Sequence, residues 1–108
     1  MANTFKNAGV AVGTTVTTLY TCPASTDGII HALYISNIDG TNSADVDVEV
    51  SVDGGSTFYY VGKTLPVPAD STLILDKPIN LEASDVIRLT ANATGDLQAF
   101  ASVLEITA

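Results

Sequence analysis

The sequence is poor in what catalysis and charge recognition draw on. Its 108 residues hold one cysteine (Cys22), one histidine (His31), no tryptophan and four cations (Lys6, Lys63, Lys77 and Arg88). A single cysteine excludes an intrachain disulfide. Four scattered cations against twelve acids leave a formal net charge of −8. Such a chain cannot neutralise a run of phosphates, so nucleic acid is not an expected partner. An anionic membrane surface is excluded for the same reason. No apolar run is long enough to cross a bilayer. The first nine residues (MANTFKNAG) carry one cation and no continuous apolar stretch, so they are not expected to act as a secretory signal. Folding in a cytoplasm follows from that expectation, and the sequon Asn92-Ala93-Thr94 then reads as chance.

What is abundant is branched at Cβ. Thr, Val and Ile make up 33 of the 108 residues. Such side chains lose rotamer freedom in a helix and pack well on a pleated sheet. The clearest segment is 44–53 (ADVDVEVSVD). Ala44, Val46, Val48, Val50 and Val52 fall on one face of a strand, and Asp45, Asp47, Glu49, Ser51 and Asp53 on the other. Further strands are expected at 14–22, 29–38, 57–61, 71–75, 86–91 and 97–106, with an extended piece at 78–81. Turns are expected at 23–28 (PASTDG), 39–43, 53–56, 82–85 and 92–96, from their Pro, Gly, Asn and Asp content. Pro66 and Pro68 mark an edge segment, because proline cannot donate to a central ladder. Residues 1–13 are expected as an N-terminal arm or a first strand, and 14–108 as the domain proper. The spacing predicts an all-β, single antiparallel sandwich of eight or nine short strands, of jelly-roll or immunoglobulin-like topology.

Candidates for chemistry are few. Cys22 and His31 are the only residues able to form a thiol nucleophile and its base. His31 falls in an apolar strand, which favours a packed or interface histidine. Asp45, Asp47 and Glu49 share one strand face, but a straight strand spreads them roughly 7 Å apart, too far for one ion to gather them. They read as a solvated face that discourages unwanted edge pairing. Gly54-Gly55 is not followed by Lys-Ser/Thr and a helix, so it reads as a hairpin, not a phosphate loop. No catalytic residue, metal or cofactor is expected. Phe58, Tyr59 and Tyr60 form the one aromatic run, with one ring expected in the core and one at an interface.

Four runs resemble a group of small virion structural proteins of tailed phages: 35–45 (ISNIDGTNSAD), 67–73 (VPADSTL), 79–89 (INLEASDVIRL) and 102–106 (SVLEI). Ser84 stands where unrelated jelly rolls often carry glycine. The resemblance implies a head decoration (cement) protein that binds the outer shell and bridges capsid subunits, or a small tail-associated protein. It implies the major capsid protein and further copies of the chain as partners, a homotrimer being favoured. The expected location is the capsid exterior, after synthesis in the host cytoplasm. The expected partner surface comprises Phe5, Val10, Phe58, Tyr59, Tyr60, Lys63, Pro66 and Pro68. The rival readings are a tail- or fibre-associated binding protein and a non-viral carbohydrate-binding module.

Overall fold

The expected alternation of 44–53 holds through residue 50, with Ala44, Val46, Val48 and Val50 buried and Asp45, Asp47 and Glu49 partly exposed on the other side, and breaks at its end, where Ser51 is buried and Val52 is exposed. The computed structural model describes residues 2–107. Nine strands run through them: β1 (Ala2–Val12), β2 (Thr17–Thr21), β3 (Thr26–Asn37), β4 (Ala44–Ser51), β5 (Phe58–Val67), β6 (Thr72–Leu75), β7 (Ile79–Leu81), β8 (Val86–Ala91) and β9 (Leu97–Thr107).

They form two antiparallel sheets. The first has the order β1-β9-β3-β6, with β7 also pairing β3, and the second has the order β2-β8-β4-β5. Strands β6 and β7 lie end to end along β3, opposite residues 33–36 and 28–30, so together they act as one interrupted strand. With that merger the order is the jelly roll, and the immunoglobulin-like alternative falls away. Of residues 1–13, expected as an arm or a first strand, 2–12 form β1, and Met1 lies outside the described residues. Strand β1 pairs with β9 along its whole length without a register shift.

The core is the layer between the sheets. Ile30, Leu33, Ile35 and Val103 enter from the first sheet, and Val46, Val48, Ile87 and Leu89 from the second; each is no more than 1% exposed. Each fully buried side chain of this kind contributes about 1.5–3 kcal/mol relative to exposure.

Three expectations change. Strand β4 lies between β8 and β5, so its acids do not guard an edge. Asp27 and Gly28 belong to β3 and not to the preceding turn; the positive φ there is at Ser25. Gly28 serves close packing instead, because a Cβ on it would lie 3.2 Å from the Cys22 sulfur. His31, expected as a packed or interface histidine, is the extra residue of a bulge in β3 between Ile30 and Ala32, and this turns it out to solvent, so it is not packed in the core.

Each end of the sandwich is tied by a buried polar side chain. At one end Asn37 donates from Nδ2 to the carbonyls of Asn42 and Val67, both at 2.9 Å, and accepts from the Asp39 amide at 2.9 Å. This joins the end of β3 to the end of β5 and shapes the connection into β4. Asp39 continues the turn. Amide donation from Thr41, then contacts from Asn42, hold its carboxyl below the usual range. At the other end the buried Asp85 carboxylate accepts from the amides of Gly54 and Glu82, both at 2.9 Å, and from the Ser51 hydroxyl at 3.4 Å. Ser51 in turn accepts from the Val86 amide at 2.8 Å. The buried Asn37, Ser51 and Asp85 side chains would otherwise lack partners.

Asn37→Ala strands the Val67 carbonyl and the Asp39 amide, and is expected to cost about 2–3 kcal/mol in urea unfolding. Ile38→Ala, next to it and exposed, is expected to change stability by less than about 0.5 kcal/mol. Equal losses would refute the role given to Asn37.

Candidate interaction surfaces

The residues expected at a partner surface fall on two lateral sides of the sandwich. Strand β1 packs over β2 at one side, and β5 meets β6 at the other. Phe5 is on β1, 79% exposed, pointing away from the core. Val10 is on the opposite face of β1, packed against the core. Phe58, Tyr59, Tyr60, Lys63 and Pro66 are on β5, and Pro68 follows it. The structure therefore groups the β5 residues and Pro68 and separates Phe5 and Val10 from them.

Strand β5 is an edge strand, which lets Pro66 sit opposite Asp45 without costing a central ladder bond. Tyr59, Tyr60 and Val61 are about half exposed or more. The Lys63 ammonium sits 4.7 Å above the Tyr60 ring. Phe58 is half-buried beneath the Arg88 guanidinium, 3.4 Å from its ring centre, and Arg88 also pairs with Glu49 at 3.3 Å. None of the three aromatic rings enters the buried core.

The outer face of the second sheet is thus charged, and its acids have separate duties. Asp47 accepts from the Thr64 amide at 2.7 Å, where β5 bulges, and Glu49 holds Arg88. Among the described residues no three acids, histidines or cysteines gather around a common point that could hold a metal ion.

The outer face of the first sheet is the opposite case, and the sequence reading missed it. Phe100, Tyr34 and Ile74, with 45%, 37% and 52% exposure, stand side by side on β9, β3 and β6. The Tyr34 and Phe100 ring centres are 6.3 Å apart. The signal was hidden because β9 (LQAFASVLEIT) carries apolar residues on both faces, so its alternation does not show which face is wet.

Cys22 and Tyr20 are locked into structure, while His31 faces solvent. Cys22 is 1% exposed, and its thiol donates to the Thr26 carbonyl at 3.3 Å. Burial, then the negative charge of Glu105, pushes its pKa up, away from the thiolate a nucleophile needs. Tyr20 donates to Glu105 at 2.5 Å, and burial followed by this bond raises its pKa as well. The bond links the edge strand of one sheet to β9 of the other.

No family model matches the chain, and no curated protein matches it. Solved structures do. A chain in the acidic stable capsid structure of Helicobacter pylori bacteriophage KHP30 aligns with a TM-score of 0.53 and 13% identity, over 97% of this chain and 87% of that one. A chain of the Bacillus endospore appendages, a family of disulfide-linked pili, aligns with a TM-score of 0.59 and 17% identity, over 98% and 87%. A chain of infectious bursal disease virus, strain Gx, aligns with a TM-score of 0.57 and 11% identity, over 97% of this chain but 30% of that one. The likeness is in the fold. This chain shares its fold with a chain of a phage capsid structure, a chain of an endospore appendage and a chain of a virus.

Cys22 in the native protein is expected to resist a maleimide at pH 7.5 for hours and to label fully in denaturant. Rapid stoichiometric labelling of the folded chain would contradict the packing described.

Proposed function

We propose that this chain is a structural protein of a phage particle, a decoration protein that sits on the capsid exterior and stabilises the shell by bridging its subunits. The observation that carries the reading is the end-to-end fold match to a chain of a phage capsid, over almost all of this sequence and most of that chain. The chemistry agrees with a structural and not a catalytic role. The one thiol is buried and its acidity suppressed, while the one histidine stands alone on a bulge. The partners in this reading are the major capsid protein and further copies of the chain, assembled as a trimer. The β5 strip from Phe58 through Tyr59, Tyr60, Lys63 and Pro66 to Pro68 is the surface we assign to the shell. It combines exposed aromatic area with an edge strand, and it leaves the fold's core untouched.

The appendage likeness favours a second reading, a subunit that polymerises into a surface fibre. The known appendages are disulfide-linked. The only cysteine here is buried, so any polymer of this chain needs another kind of link. Tail- or fibre-associated binding, or sugar binding, would use the same exposed Tyr59 and Tyr60.

Quantitative mass spectrometry of purified particles separates these readings. Decoration predicts hundreds of copies per virion, with density for the sandwich repeated on the outer shell in a cryo-EM reconstruction. A handful of copies would move the protein to the tail, and absence from particles would reject both virion readings. The double variant Tyr59→Ser, Tyr60→Ser is expected to lower shell occupancy at least tenfold with an unchanged thermal midpoint; undiminished occupancy would remove β5 from the interface. Truncating residues 2–12 is not a clean test, because β1 covers β9 and supplies the buried Val12.

A further inference from the structure

We propose that the outer face of the first sheet is where copies of this chain meet one another. The proposal deepens the self-association in the reading above, but it stands on the face itself.

The ladder registers define what the face displays. One cross-strand row runs Gly9–Phe100–Tyr34–Ile74, and a second runs Phe5–Leu104–Ile29. The positions between and beyond these rows are small or neutral, among them Asn7, Ser102, Gln98 and Ser36. The charges at the face are confined to one end, where Asp27, paired in register with Ile106, and Glu82 border one depression, and the solvent-facing His31, formally neutral at pH 7, is the one titratable group between the rows. Lys6 belongs to the other face of β1, in register with the buried Val103. The remaining acids are on the second sheet, in the connections, or directed inward like Glu105. A chain with a net charge of −8 thus concentrates its charge elsewhere and leaves one broad sheet face almost free of it.

That distribution selects the occupant. Two copies of a strongly acidic chain repel each other, and they approach most easily where neither carries charge. A basic partner would gain more on the acidic outer face of the second sheet. The relief also suits self-contact. The Phe100 ring leans over Gly9, where an added Cβ would stand 3.8 Å from it. Beside the ring lies a shallow depression bordered by Ala11, Ser36 and Gln98. A projecting ring next to a hollow on the same face is what a self-complementary contact uses. Four strands about 4.8 Å apart and five rows about 7 Å apart give a footprint of roughly 500 Å² per copy, at the lower end for a specific, reversible interface. The contact is therefore expected to be reversible and strengthened by a shared scaffold.

The test is sedimentation equilibrium of the full chain from 1 to 500 µM, at 50 and 500 mM NaCl. The wild type is expected to associate reversibly, and more tightly at high salt, because screening removes the residual repulsion between acidic copies. The double variant Phe100→Asp, Ile74→Asp is expected to weaken association at least tenfold. Its circular dichroism and thermal midpoint should hold, since both side chains are already about half exposed. Phe100→Leu is expected to retain association, as is Tyr60→Asp on the other sheet. A wild type that stays monomeric to 500 µM, association that weakens with salt, or a double variant that associates like the wild type would each overturn the proposal. A monomer that still decorates shells would sink this inference and leave the decoration reading standing. A chain that associates through this face but is missing from virions would do the reverse.

Discussion

The two sheets are stacked without a backbone ladder between them, so the structure depends on one dry layer of aliphatic side chains. Val46, Val48, Ile87 and Leu89 from one sheet meet Ile30, Leu33, Ile35 and Val103 from the other. This layer fixes which face of every strand points inward. A slip of one residue in any strand would send its aliphatic set to solvent. The placement of most acids, of the exposed aromatic rings and of the cations on the outside follows from it, while Asp85, Glu105 and Tyr20 are turned inward and hydrogen-bonded.

A dry layer does not set how its ends close, because apolar contact has no direction. Asn37 and Asp85 supply the direction. Each is buried, each satisfies backbone groups from more than one element, and they stand at opposite ends of the sandwich. Both lie within the runs that resemble phage virion proteins, in ISNIDGTNSAD and INLEASDVIRL. The most distinctive residues of those runs therefore report how a jelly roll is closed, and they say little about which surface meets a partner. This is the reason a motif resemblance and a fold likeness converge on the same architecture while the partner is decided elsewhere.

The exterior divides into unlike surfaces. The second sheet presents Asp45, Asp47, Glu49 and Arg88, with an aromatic strip along its β5 edge. The first sheet presents Phe100, Tyr34, Ile74 and Phe5 with hardly any charge. A particle protein that must stay dispersed before assembly and then bind two kinds of neighbour can use both. In the proposed role, charge would keep free chains apart and the nearly uncharged face would allow contact once copies are brought together.

By itself the sequence determined the class of fold and most of its elements. Strand β8 falls where 86–91 was expected, and β4, β6 and β9 differ by one to two residues, because alternation and β-branching are local signals. The scarcity of His, Cys and cations likewise limited the chemistry before any coordinates. Tertiary structure alone decided four matters. It made β4 a central strand, since neighbours in a sheet are chosen across the chain and not along it. It turned His31 outward through a bulge that no local pattern announces. It split the expected partner residues, sending Phe5 and the β5 strip to different sides. And it exposed the uncharged face of the first sheet, because β3 and β9 are apolar on both faces and only the position of the second sheet settles which side stays wet.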